Sequence, residues 1–348
     1  MNNRNQLLDL MRFLAALWVA FFHFNQPIHY IDNPYRNLMK LGYVGVPVFF
    51  VISGYCIIFS AERSKNWKDF LVRRLFRIYP PYVMSLAVTF TAIVMFKLIT
   101  GFNSVATLPK NVYTIFCTIF LLLKPVTRVE GINWVYWTLT LEAIYYIFAG
   151  LARVWPERLR LPFFILLSVI GWCLPIGDTG LQAVFKYWPV FSLGIGVYYI
   201  QKQQQLVWAL LLTGLNIAWL VPVFLLAGEP PYFYASVLAM AFIFLSFKYP
   251  MRKNWLSTAG DYSYSVYLLH VPIAIYLMGL IKTPYIQTHM ATNILFDICS
   301  YLITLYFAYL SFKWIELPSI AFGKSLAQKF TGAKLQTSDA GLIATNHR

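Results

Sequence analysis

Charge is scarce in this chain. Asp, Glu, Lys and Arg supply 12% of its 348 residues, against about 25% in soluble domains. That excludes an ordinary soluble domain. Cysteine is scarce too. Cys56, Cys117, Cys173 and Cys299 stand apart in apolar runs, with no C-x-x-C pair and no metal-ligand spacing. They read as small buried hydrophobes, and no metal is expected. The phosphate-cradling G-x-x-x-x-G-K-S/T, the dinucleotide G-x-G-x-x-G and the G-x-S-x-G nucleophile turn are all missing. No soluble-enzyme motif competes for the function. No small-residue cleavage site follows the apolar core 13–24, which reads as an uncleaved first span. Neither an internal repeat nor a soluble second domain is legible.

What is abundant is apolar. Hydrophobic residues make up 59% of the chain and aromatic residues 18%, with a mean hydropathy of +0.61. The expected fold is all-α, a polytopic membrane bundle. A spanning helix needs about 20 mostly apolar residues. Ten stretches qualify: 7–26, 41–60, 79–100, 134–152, 161–176, 184–201, 206–227, 232–249, 262–281 and 293–314. The formal charge of +15 does not point to nucleic acid, because its basic residues cluster in short loops. The loop 61–78 carries six basic residues against two acidic ones, and 153–160 and 248–254 are basic as well. Ten spans put these loops and both termini on the cytoplasmic side, as the positive-inside rule requires. The segment 112–123 is too short to span and reads as a re-entrant or interfacial helix. The polar tail after Pro318 reads as a short surface helix followed by disorder.

Ionisable residues inside apolar runs are costly, roughly 2.5–3.5 kcal/mol for a central Arg on insertion scales, and usually face a polar interior. Arg12 and His23 lie eleven steps apart in the first span. At about 100° per residue the two share one stripe, with Asp9 on the same side. They either snorkel to the interfaces or mark a functional path. Arg73, Arg74 and Arg77 stand at the cytoplasmic entry of the third span, just before Pro80-Pro81. They suit either anionic lipid or a phosphate-bearing ligand. Glu142 lies mid-helix, with Thr138 and Tyr145 expected on its face. Ser53 and Gly54 allow close helix approach. Ser263, Tyr267 and His270 line one helix face, and Glu316 at the inner end of the last span is positioned for a cytoplasmic ion pair.

Together these segments resemble acyltransferase family 3, a family of polytopic membrane acyltransferases. The resemblance rests on Arg12-x10-His23, FFVISGY (49–55), RLFRIYP (74–80), YWTLTLEAIYY (136–146), SYSVYLLH (263–270) and WIELP (314–318), in that order. It covers about 1–320, with a transmembrane acyltransferase domain at 1–318 and a cytoplasmic, partly disordered tail at 319–348. It implies acyl transfer, usually acetyl, from cytoplasmic acyl-CoA to a hydroxyl of a carbohydrate or lipid-linked glycan, in a bacterial inner membrane. Some members append an extracytoplasmic esterase-like domain; this chain looks like a stand-alone member. Arg12 and His23 match the family's essential Arg and His, and Arg74 and Arg77 its Arg-x-x-Arg element.

Under that resemblance His23 is expected as general base or transient acyl carrier. Glu142 would orient it, and Arg12 would support the donor or the developing negative charge. Arg73, Arg74 and Arg77 would hold the nucleotide end of acetyl-CoA. Asp9, Ser53, Tyr267, His270 and Glu316 are candidate supports. A proton-coupled transporter or flippase is the alternative, because buried carboxylate–histidine chains also relay protons.

Overall fold

The computed structural model describes residues 5–26, 32–102, 108–249 and 251–330, and these residues form helices, turns and loops with no strand among them. The helices are α1 (Gln6–Asn25), α2 (Pro34–Lys40), α3 (Gly45–Arg63), α4 (Trp67–Thr100), α5 (Val112–Ile119), α6 (Trp137–Ala152), α7 (Glu157–Cys173), α8 (Gly180–Gln201), α9 (Leu206–Leu220), α10 (Pro230–Lys248), α11 (Trp255–Ala259), α12 (Ser263–His270), α13 (Pro284–Thr288), α14 (Met290–Ser311) and α15 (Leu317–Phe330). Asparagine starts many of them. Asn5, Asn33, Asn66, Asn111 and Asn254 each accept backbone N–H groups at an N-cap, satisfying donors that the first turn leaves unpaired.

Among the described residues eight helical stretches are long and apolar enough to cross a membrane, and the protein is a multi-pass membrane protein. These eight coincide with eight of the ten expected spans. The other two, 161–176 and 184–201, form α7 and α8 but fall outside that set. Helix α7 has only 17 residues. Helix α8 has 22, of which 15 are buried by neighbouring helices. Protein rather than lipid surrounds it, so it tolerates Gly194, Gly196, Ser192 and a tyrosine pair. It crosses α3 at backbone contact. A Cβ on Gly54 would collide with the Phe191 carbonyl oxygen, and one on Gly194 with that of Val51. The expected close approach at Gly54 is therefore realised.

Two expectations shift. The loop 61–78 contracts to a few residues, because Asn66 caps α4 and the arginines at 73–77 already lie on that helix. Helix α4 then continues through Pro80-Pro81. The expected helix at 112–123 shortens to the eight residues of α5, about 12 Å of rise, far short of a bilayer. Its Cys117 and Thr118 are buried, and Tyr82 on α4 donates its hydroxyl hydrogen to the Thr118 carbonyl oxygen. Beyond the last span the chain stays helical past Pro318, as expected. A π turn at Phe312–Glu316 carries the chain from α14 into α15. Helix α15 then lies along α4, with Phe322 against Phe76 at 5.1 Å between ring centroids. The short helix expected after Pro318 is thus present to Phe330, and the disorder expected beyond it falls on 331–348, outside the described residues.

Candidate functional site

Five helices enclose a cavity of about 90 Å³, room for several waters or a slender chain. Helix α1 contributes Arg12, α3 Ser53 and Cys56, α4 Arg74 and Arg77, α6 Thr138, Glu142 and Tyr146, and α12 Tyr264 and Tyr267. Arg12 donates to the Cys56 sulfur at 3.0 Å and pairs with Asp9 at 3.5 Å. Arg74 donates to the Cys56 carbonyl oxygen at 3.0 Å, its guanidinium 5.4 Å from the Tyr146 ring centroid. Glu142 accepts from Ser53 at 3.2 Å and from the Tyr146 hydroxyl at 2.8 Å. Among the described residues Arg77 has neither a hydrogen-bond partner nor an ion pair within 4 Å. The cavity therefore holds three guanidinium groups, one of them without a direct hydrogen bond among the described residues and within electrostatic reach of Glu316.

Above it stands a second polar group. His23 Nδ1 lies 3.3 Å from the Trp134 indole nitrogen and 3.2 Å from Gln26 Oε1. Its ring stacks on that of His270, centroids 5.3 Å apart and planes inclined by 30°. His270 is 1% exposed, with Nδ1 3.3 Å from the Val266 carbonyl oxygen and Nε2 without a hydrogen-bond partner among the described residues. Tyr267 links the two groups. It lines the cavity, shares a 2.8 Å hydrogen bond with Thr138, donates to the Val135 carbonyl oxygen, and has its ring 5.7 Å from that of His270.

Local sequence explains this placement. Pro272 has no N–H for the carbonyl of Leu268. The chain opens into a π turn, Val271–Leu277, and the Asn133 amide donates to the Leu268 oxygen at 3.2 Å. The side-chain oxygen of Asn133 also accepts from Val135 N–H, starting the short 3₁₀ turn that carries Trp134. One buried asparagine thus ties the Trp134 turn to the helix of His270.

The C-terminal end of α1 is held by a separate cluster. Asp297 on α14, fully buried, accepts from Asn25 at 2.7 Å, Tyr35 at 2.7 Å and Lys282 at 2.8 Å. Arg36 donates to the Asn25 carbonyl oxygen at 3.1 Å. Burial pulls the Lys282 ammonium below its ordinary pKa, and the Asp297 carboxylate beside it works in the opposite direction. Asn25 is two residues beyond His23, so this cluster anchors the histidine's end of the helix.

Sequence expectations fare unevenly. Arg12, Ser53, Arg74, Arg77, Glu142 and Tyr267 do meet in one cavity, and His270 does meet His23. Glu142 does not orient His23. It lies eight residues beyond Trp134, roughly 12 Å deeper at 1.5 Å per residue, and its hydrogen bonds go to Ser53 and Tyr146. Gln26 and Trp134 occupy the orienting positions instead. Tyr145, expected beside Glu142, donates to the Val184 carbonyl oxygen, and Tyr146 at i+4 takes its place. Arg73 is turned away from the cavity and pairs with Asp69 at 2.7 Å. Glu316 is buried and accepts from Ser265 at 3.0 Å. Among the described residues it makes no ion pair within 4 Å, because the π turn directs it toward α12. Cys56, read as a mere hydrophobe, lines the cavity. Among the described residues no group of three or more His, Cys, Asp or Glu could hold a metal ion.

The family model for the acyltransferase domain of acyltransferase family 3 matches residues 5–313. Two provisionally named O-acetyltransferases of Staphylococcus aureus, from strains COL and MSSA476, are each 24% identical over 374 residues, covering 89% of this chain and 56% of their own. The chain spans about half the length of these relatives. The O-acetyl transferase of Shigella phage Sf6 is 24% identical over 290 residues, covering 78% of this chain and 85% of its own. Nodulation protein 10 of Rhizobium leguminosarum bv. viciae is 26% identical over 166 residues, covering 47% of this chain and 43% of its own. No solved structure matches.

Proposed function

Because the chain belongs to acyltransferase family 3, we propose that it is an O-acetyltransferase moving acetyl groups from acetyl-CoA across a bacterial inner membrane. The acceptor is a hydroxyl of a surface glycan or lipid-linked sugar, such as O-antigen or exopolysaccharide. The observation that carries this reading is the convergence of Arg12, Arg74 and Arg77 on one cavity beneath His23. Guanidinium groups bind phosphate through paired N–H donors. Arg77, without a direct hydrogen bond among the described residues, and Arg74, whose buried Nε also lacks a partner there, are the groups to hold the anionic end of the donor at the cytoplasmic mouth. A pantetheine arm is slender enough for the cavity. Arg12 lies about 16 Å from His23 along the helix axis, so the arm can carry its thioester from the arginines toward the imidazole.

Glu142 then has a different task from the one its sequence position implied. Ser53 and Tyr146 fix its carboxylate, whose charge reaches Arg12 and Arg74. It keeps the two arginines in place when no donor is bound.

Acetyl-CoA should raise the unfolding temperature of the purified protein. Ligand at 100 times its Kd stabilises a fold by about 2.7 kcal/mol. Arg74→Ala combined with Arg77→Ala should weaken donor affinity at least tenfold, since a hydrogen bond to a charged group contributes about 1.5–3 kcal/mol. Unchanged affinity in that double variant refutes the phosphate-binding role. A wild-type protein indifferent to acetyl-CoA is what a transporter of an unrelated solute would give.

A further inference from the structure

Two imidazoles face each other in this centre, and their hydrogen-bond partners differ in kind. Trp134 Nε1–H can only donate, and it points at His23 Nδ1 from 3.3 Å. That nitrogen must therefore accept, and neutral His23 carries its hydrogen on Nε2. The Gln26 amide, 3.2 Å from the same nitrogen, can turn its NH2 toward it, because its two ends are interchangeable in shape. His270 is the reverse case. The Val266 carbonyl oxygen can only accept, so Nδ1 of His270 carries the hydrogen. Nε2 of His270 is left with a lone pair, buried and without a hydrogen-bond partner among the described residues. A buried polar atom in that condition calls for an explanation.

We propose that the pair divides the chemistry, with His270 Nε2 as the proton acceptor and His23 Nε2–H as the hydrogen-bond donor to the reacting carbonyl. The inference rests on the O-acetyltransfer reading above and adds His270 as a second catalytic residue. Ring centroids 5.3 Å apart set the imidazoles side by side, so the attacking hydroxyl and the carbonyl oxygen of one thioester can each meet a different ring. The step balances. The acceptor hydroxyl oxygen attacks the thioester carbon, forming the C–O bond, and its proton passes to His270 Nε2. His23 Nε2–H stabilises the oxyanion on the former carbonyl oxygen. The C–S bond breaks, and the His270 proton is returned to the CoA sulfur. The products are the acetyl ester and CoA thiol.

The arrangement is built, not incidental. Asn133 and the π turn at Pro272 set the height of His270, and the same asparagine starts the turn that carries Trp134.

Nitrogen-15 NMR of histidine-labelled full-length protein in lipid nanodiscs distinguishes the two ring nitrogens by protonation. The expected result is opposite tautomers, Nε2–H for His23 and Nδ1–H for His270, with the His23 signal assigned by its loss in His23→Gln. Trp134→Phe should release His23 toward the Nδ1–H form. A wild-type His23 protonated at Nδ1 overturns the proposal whatever the protein's activity. In cells, His270→Gln should lower glycan O-acetyl content about 100-fold, the lower range of general-base contributions, with acetyl-CoA stabilisation of the purified variant unchanged. Wild-type acetylation in His270→Gln, or loss of acetyl-CoA binding, also overturns it. Opposite tautomers in a protein whose deletion leaves every surface glycan unaltered would instead refute the acetyltransferase reading and leave the pairing intact.

Discussion

His23→Ala is expected to abolish O-acetylation while leaving a folded, donor-binding protein. The imidazole is half-buried in the last turn of α1, flanked by Trp134, His270 and Gln26. It contributes to no cavity contact with Arg12, Arg74 or Arg77, so acetyl-CoA should still raise the unfolding temperature. Loss of a positioned donor at an oxyanion costs about 100- to 1,000-fold in rate. Here the stacking surface for His270 goes as well, so the expected loss is at least of that size. Mass spectrometry of surface glycans reads the outcome. The variant should match a gene deletion, with glycans lighter by one acetyl per modified unit, and fragmentation would locate the acceptor sugar. Normal acetylation in His23→Ala would mean that the reacting groups lie elsewhere. Loss of both folding and donor binding would mean that the ring is structural.

Gly194→Val is expected to prevent assembly of the bundle. Helix α3 carries Ser53 and Cys56 into the cavity, and its backbone rests directly on that of α8. A side chain at 194 would enter the space of the Val51 carbonyl oxygen and the Tyr55 amide nitrogen. Neither helix can retreat, because α8 is enclosed along most of its length, with Leu193 and Ile195 fully buried. Overpacking a core with a side chain costs about 1–3 kcal/mol, and here the obstacle is backbone, which cannot rotate away. The measurement is the yield of monodisperse protein in detergent together with its unfolding midpoint. Gly214→Ala is the control, because a Cβ there meets nothing within 4 Å. If Gly194→Val unfolds at the wild-type temperature, the close crossing of α3 and α8 is not what holds the cavity wall.

Much of this site is legible one helix at a time. The eleven-residue interval from Arg12 to His23 places both on one stripe, and Gly54 announces a close contact. Arg74 and Arg77 share a face because they are three residues apart, and both reach the cavity. Arg73 was indistinguishable from them by composition. It is rotated by about 100° from Arg74, and Asp69, one turn earlier, takes it.

The sequence by itself determined an all-helical membrane bundle, the capping asparagines and the inward-facing polar residues, because these follow from composition and from the 3.6-residue period of each helix. Only the tertiary structure decided which of those residues meet. Periodicity sets the direction and height of a side chain on its own helix, but the relative height of two helices is set by their packing. That register puts Glu142 beside Ser53 and Trp134 beside His23. It also brings Asp297 to Asn25 across 272 positions of chain. The π turn at Val271–Leu277, opened by Pro272 and secured by Asn133, sets the height of His270 beside His23. No local pattern encodes that height.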